Sequence, residues 1–265
     1  MEVLQAIILG MVQGVAEFLP ISSSGHLRLI EEGLGWDAFG LAFDTMLHVA
    51  TLMAVIVYFR QDLLGMVRSA FSRDPERAHD RKLAWLVVVA TIPTGIIGLI
   101  GSDWFEGASL LAVGIAFLIT SAFLALTERL SRKTLHDADQ LKMPGAIGIG
   151  IAQGIAVMPG ISRAGATMAA GLSLGLDREQ AARFSFLLSG PIILLAGAKQ
   201  GLDVALNSEP MPGLFVAIVG FITAALTGYA AIAGLMAYLR KHSMVAFSVY
   251  TGVLGFGVVL WQILA

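Results

Sequence analysis

Apolar residues fall into blocks of roughly bilayer length, divided by short polar segments. A helical span needs about 20 predominantly apolar residues. Six blocks fit, at 40–60, 83–101, 108–127, 184–201, 212–239 and 244–264. Two more, 3–35 and 144–176, are apolar but too long for one crossing, and each carries Gly, Pro, Ser and an ionisable residue in its middle. Helix-breaking residues at membrane depth are tolerated where protein or water covers the freed backbone groups. Both blocks are therefore expected to be re-entrant hairpins that enter and leave on one side. The pattern predicts an all-α integral membrane protein with six transmembrane helices plus two re-entrant helical hairpins.

Composition makes lipid the main solvent. Of 265 residues, 57% are hydrophobic and 14% charged, against about a quarter charged in soluble domains. A net charge of −2 argues against a nucleic-acid partner. The absence of cysteine excludes disulfides, thiolate metal sites and a cysteine nucleophile. Glu2 stands where a signal peptide would have its basic start, so none is expected.

Charge gives the orientation. If both hairpins return to the side they enter from, loops 61–82 and 128–143, the segment at Arg178 and Arg183, and the segment at Arg240 and Lys241 all share one side. That side, with Arg60, holds 14 of the 17 basic residues. The other side is acidic, with Glu2, Glu31, Glu32, Asp37, Asp103, Glu106, Asp203 and Glu209. The positive-inside rule makes the basic side cytoplasmic. Both termini and loops 102–107 and 202–211 are then outside. Trp36, Trp85, Trp104 and Trp261 fall near span ends and read as interface anchors.

The chain also repeats itself. GMVQGVAEFLPISSSG, residues 10–25, aligns without a gap on GIAQGIAVMPGISRAG, residues 150–165. Gly10, Gln13, Gly14, Ala16, Ile21, Ser22 and Gly25 are identical to Gly150, Gln153, Gly154, Ala156, Ile161, Ser162 and Gly165. The single membrane domain 1–265 thus divides into repeat one, 1–127, and repeat two, 144–265, each a hairpin plus three spans. Three crossings invert the second copy, and inverted repeats place polar sites near the midplane. The shared residues read as scaffold: glycines for close approach, serines for broken helix ends. The unshared polar residues read as chemistry. Glu17 faces Val157, Ser23 faces Arg163 and His26 faces Ala166, so Ser23 and Arg163 could meet across a two-fold axis.

Ionisable groups inside a membrane cost roughly 2.5–3.5 kcal/mol on insertion scales and line functional cavities by default. Glu17, His26 and Arg163 qualify. Gln13 and Glu17, at i and i+4, share a helix face. One carboxylate and one amide oxygen suit Mg²⁺ or Ca²⁺ only if substrate phosphates supply further oxygens. Ser23 and His26, three apart, could pair to activate a serine nucleophile. Residues 159–167, PGISRAGAT, put Ser162, Arg163 and Thr167 around a glycine-rich turn that opens a helix. Its backbone N–H groups suit an anion, and arginine offers phosphate a bidentate fork. These are parts for phosphoryl transfer, which needs positioning and charge neutralisation above all.

The two segments resemble the signatures of the bacterial undecaprenyl-diphosphate phosphatase family, the bacitracin-resistance type. The first signature is carried by Gln13, Glu17, Pro20, Ser22, Ser23, Gly25 and His26, the second by Pro159, Gly160, Ser162, Arg163, Gly165 and Thr167. Ala164 departs from the family's frequent serine. The resemblance covers essentially the whole chain. It implies a metal-dependent hydrolase of the bacterial cytoplasmic membrane that removes the terminal phosphate of undecaprenyl diphosphate, with six spans and two inverted hairpins. It makes Glu17, Ser23, His26 and Arg163 the residues expected to act, with Gln13, Ser22, Ser24, Gly160, Ser162, Gly165 and Thr167 around the substrate, and Asp44 and His48 supporting them. Glu17 is assigned to metal or proton handling and Arg163 to the diphosphate. Ser23 and His26 stay open as alternatives for the attack on phosphorus. The partner expected is the lipid diphosphate, with a second copy of the chain left open.

Two other families share parts of this pattern. Type-2 phosphatidic acid phosphatases share a Ser-Gly-His element, but need a histidine where this chain has Ala169. A polyprenyl-phosphate transporter or flippase would share the inverted repeat, but needs binding groups alone. Ser23 and His26 on one copy with Arg163 on the other favour the hydrolase. Because the candidate nucleophiles lie on the hairpin that enters from the acidic side, the site is expected to face outside.

Overall fold

In the computed structural model the described residues are all except 37–39, 107, 132–133, 208–211 and 265, with the side chains at 41, 102–106, 205 and 207 also left aside. The charges of Asp37, Asp103, Glu106, Arg132, Lys133 and Glu209, and the Trp104 anchor, lie outside what is described.

The described residues are predominantly helical. Helices α1 (Glu2–Phe18) and α2 (Ser23–Leu34) form the first hairpin, followed by α3 (Gly40–Tyr58), α4 (Arg60–Ser69), α5 (Ala78–Glu106) and α6 (Leu110–Leu130). Helices α7 (Met143–Ile155) and α8 (Arg163–Ser173) form the second hairpin, followed by α9 (Arg178–Asn207), α10 (Leu214–Leu239) and α11 (Val245–Leu264). Among the described residues, α5, α6, α9, α10 and α11 are long and apolar enough to cross a membrane, and the bent pair α3–α4 makes a sixth if taken as one span. Their outer faces carry exposed apolar side chains such as Ile96, Phe123, Leu194, Ile222 and Phe256. This is an integral membrane protein.

One expectation needs correcting. The charge pattern suggests a loop at 61–82, yet the chain turns by 78° after Tyr58 and continues as α4. Helix α4 buries Met66 in the core and leaves the apolar Leu64 and Val67 exposed. Its Asp62 pairs with Arg183 of α9. Further ion pairs, Arg178–Glu128 and Arg240–Glu179, gather at the loops from the basic side of the sequence.

Packing is reciprocal between the halves. Helix α1 lies on α10 and α7 lies on α5, while α6 meets α11 and α3 meets α9. The shared glycines make the close approaches: a Cβ on Gly14 would overlap the Thr227 hydroxyl of α10, and one on Gly150 the Ala90 carbonyl of α5. Thr227 donates to the Gly10 carbonyl at 3.4 Å, and Thr94 of α5 donates to the Gly150 carbonyl at 2.8 Å. Phe18, the last residue of α1, packs edge-on against Phe186 of α9 with centroids 5.5 Å apart. That anchors the neighbouring Glu17 inside the bundle.

Candidate active site

Both hairpin turns are built by the same local device. Ser22 caps α2 by accepting the Gly25 N–H at 3.4 Å, and Ser162 caps α8 by accepting the Gly165 N–H at 3.0 Å. Serine at an N-cap satisfies one of the free donors of a helix start, which explains the shared Ile-Ser-x-x-Gly spacing. Ser22 does so with a φ of 71°, a left-handed conformation that costs a non-glycine residue of order 1 kcal/mol. Across the second turn, the Thr120 hydroxyl of α6 accepts the Ser162 N–H at 3.1 Å and donates to the Gly160 carbonyl at 3.2 Å. Gly160 there has a φ of 92°.

Glu17, 7% exposed, is the hub. One carboxylate oxygen is paired with the Arg163 guanidinium. The other accepts from Ser23 Oγ at 2.5 Å and from Gln13 Nε2 at 3.1 Å. His48 Nε2 of α3 lies 3.7 Å from that same oxygen. Ser23 and Arg163, equivalent in the alignment, thus meet on one carboxylate. A serine hydroxyl donating to a buried carboxylate has a proton acceptor already in place, the arrangement that activating a serine requires. The guanidinium beside it can bind phosphate oxygens.

Glu17, Ser23, His48 and Arg163 line a cavity of about 210 Å³, with Ser22, Ser24 and Ser162 on its wall. The first turns of α2 and α8 therefore both face it, and two helix N-termini favour an anion there. Pockets that take a drug-sized ligand whole are roughly 300–1,000 Å³, so this one fits a phosphate head group rather than a lipid. A second cavity, about 470 Å³, shares Ser24, His48 and Gln200 with the first and is lined by Arg28, Glu31 and Glu32.

Other expected residues are placed differently. His26 does not meet Ser23: its Nδ1 donates to the Ser22 carbonyl at 2.7 Å, and its Nε2 accepts from the Tyr250 hydroxyl of α11 at 2.7 Å. The ring also packs edge-on against Phe117. The Ser23–His26 pairing is thus corrected to Ser23–Glu17, because the turn at 19–22 folds the serine back over α1. The Thr167 hydroxyl bonds the Arg163 carbonyl at 2.8 Å and the Ser185 hydroxyl at 2.5 Å, so it braces α8 on α9. Gly165 gives its N–H to the cap. His48, expected as support, lines the cavity itself, with its Nδ1 donating to the Asp44 carbonyl at 2.8 Å. Asp44 lines the second cavity, and its Oδ1 is buried without a partner.

The donor set bears on the expected cation. Among the described residues no three His, Asp or Glu side chains cluster as metal ligands. Glu17 is bonded on both oxygens, while Gln13 Oε1 is buried without a partner. A cation fits here only in company: Glu17 and Gln13 would hold it once a diphosphate brings further oxygens.

Sequence reasoning missed three contributors. Gln153 and Thr94 line the cavity, although Gln153 was visible only as a repeat identity and Thr94 not at all. Tyr250, 224 positions from His26, left no signal.

The chain matches the family model described as Bacitracin resistance protein BacA over residues 6–257. It is 44% identical over 266 residues to a protein of Rubrobacter xylanophilus named undecaprenyl-diphosphatase, covering 94% of each chain. Proteins of the same name from Methanosphaera stadtmanae and Colwellia psychrerythraea are each 42% identical, over 96% and 100% of both chains respectively.

Proposed function

The chain belongs to the bacitracin resistance protein BacA family, and from this we infer that it is an undecaprenyl-diphosphatase. It hydrolyses undecaprenyl diphosphate to undecaprenyl phosphate and inorganic phosphate, recycling the carrier lipid of cell-wall synthesis. The observation that carries the reading is the Ser23–Glu17–Arg163 constellation in a cavity of head-group size.

The diphosphate enters between the starts of α2 and α8, and Arg163 turns from Glu17 to its oxygens. Glu17 takes the Ser23 proton as Ser23 Oγ attacks the terminal phosphorus, and passes it to the departing lipid phosphate. Water then attacks the phosphoserine. Glu17 takes a water proton and returns it to Ser23 Oγ as the P–O bond breaks. His26, held by Ser22 and Tyr250, fixes the start of α2. A divalent cation, Mg²⁺ or Ca²⁺, would supply charge neutralisation on the diphosphate beside Glu17 and Gln13.

In this reading the hairpins are re-entrant, the two halves are inverted copies, and the site opens outward in the bacterial cytoplasmic membrane. Support comes from the reciprocal packing of α1 on α10 and α7 on α5. The acidic second cavity at Glu31 and Glu32, residues of the outer side by charge, adds to it.

The test is phosphate release from undecaprenyl diphosphate by detergent-purified protein, with and without a chelator. Release that disappears in Ser23→Ala supports the reading. Full activity in that variant refutes the serine nucleophile, and no release by the wild type refutes the function.

A further inference from the structure

Gln153 lines the same cavity as Glu17, Ser23 and Arg163. It is 1% exposed. Its Nε2 donates to Thr94 Oγ1 at 3.2 Å. The single Thr94 hydroxyl proton is already turned to backbone carbonyls, Gly150 at 2.8 Å and Ala90 at 3.1 Å. Thr94 can therefore only accept from the amide, which fixes which end of Gln153 faces it. The other end, Oε1, is buried and has no partner. A buried acceptor left unpaired is costly, and native structures pair such groups with protein or ordered water.

The chemistry narrows the missing partner. An amide oxygen accepts hydrogen bonds and donates none, so it repels a deprotonated phosphate oxygen. Arg163 and the helix N-termini already supply the donors that such oxygens need. A water molecule has protons to give. The repeat supports the distinction. Gln13 gives its Nε2 to Glu17, whereas at the equivalent of Glu17 the second half has Val157, and Gln153 turns its Nε2 to Thr94 instead. Its oxygen is left unpaired, on a side chain that lines the cavity.

We propose that Gln153 positions the hydrolytic water: its Oε1 accepts one water proton while Glu17 accepts the other, aiming the oxygen at phosphorus. The proposal rests on the phosphatase reading above. The bond formed is water oxygen to phosphorus. The bond broken is phosphorus to Ser23 Oγ, and the water proton taken by Glu17 ends on Ser23.

The test uses the full chain in detergent with undecaprenyl diphosphate labelled in its terminal phosphate, following free phosphate and acid-stable label on the protein. Gln153→Met keeps the length of the side chain and removes the acceptor. Its phosphate release is expected to fall about 10²-fold, the scale of a misplaced reactant, with kcat and KM falling together and label accumulating on Ser23. A purely structural role would instead lower the thermal midpoint and leave label and KM unmoved. Thr94→Val, which unfixes the amide without emptying its position, is expected to slow release in the same direction, and serves if the first variant fails to fold. Wild-type release in the soluble variants, or a slowing that comes with a raised KM and no label, overturns the proposal. If no protein retains label while Gln153→Met is still slow at unchanged KM and unchanged thermal midpoint, the serine ester falls and the water placement stands; the same slowing with a lowered midpoint overturns the proposal.

Discussion

Replacing Glu17 by Gln keeps the shape of the side chain and removes its charge, which separates two jobs the carboxylate does. The first is chemical. Ser23 Oγ donates to this carboxylate at 2.5 Å, and losing a positioned base costs typically 10²–10⁴-fold. Phosphate release should fall within that range. The second is structural. Arg163, whose side chain is 21% exposed, loses its counter-charge. Removing one partner of a buried ion pair costs about 3–5 kcal/mol. An amide still accepts from Ser23 and Gln13, which favours the lower end. At about 2–4 °C per kcal/mol for chains of this size, the midpoint should drop by about 6–12 °C. Adding Arg163→Met removes the orphaned charge and should recover part of that loss without recovering activity. The assay pairs thermal unfolding in detergent with phosphate release for the wild type, both single variants and the double. A double variant whose stability loss equals the sum of the singles would show that the pair is not coupled. Activity within tenfold of wild type in Glu17→Gln would remove Glu17 as the base.

Arg163→Lys should be nearly as inactive in phosphate release as Arg163→Ala, because an ammonium keeps the charge but loses the bidentate fork; a lysine variant with most of the activity would reduce Arg163 to bulk electrostatics. Gly14→Ala should destabilise the protein by about 1–3 kcal/mol, since the added methyl meets Thr227 and α10 backbone. An unchanged melting curve would contradict the close approach of α1 and α10. With no native cysteine, Ser109→Cys should be labelled in intact cells by an impermeant thiol reagent and Ser131→Cys spared; the reverse pattern would invert the topology.

The long helices were legible because each is an apolar block with charges at its ends. Helix α4 was not: Arg60, Gln61, Asp62 and Arg68 make it read as loop, and its helicity depends on burying Met66 and pairing Asp62 with Arg183. The repeat exposed the hairpins, and its shared glycines and serines do act as scaffold, at Gly14, Gly150, Ser22 and Ser162. Which residues the fold gathers at the cavity was largely legible too, since a carboxylate, a serine and an arginine stand out against an apolar chain. Their pairing was not. Spacing of three favoured Ser23 with His26, but a turn four residues long aimed the serine at Glu17, six positions back. The direction of His26 was set by Tyr250 on the last helix, a tertiary choice that no local pattern records. Gln153 was seen only as a match to Gln13, because its role depends on having Val157 rather than a carboxylate beside it.

Arg163 is bound to a carboxylate that the protein itself carries. Every ligand must therefore enter by exchange, against a competitor whose tether gives it an effective concentration in the millimolar range or above. A single phosphate replaces one anion with another and gains little. A diphosphate brings a second phosphoryl group to the two helix N-termini as well, and so wins the exchange. Once the anhydride is cut, neither fragment keeps that advantage, and Glu17 reclaims the guanidinium. On this reading, product inhibition by a single phosphate is expected to be weak.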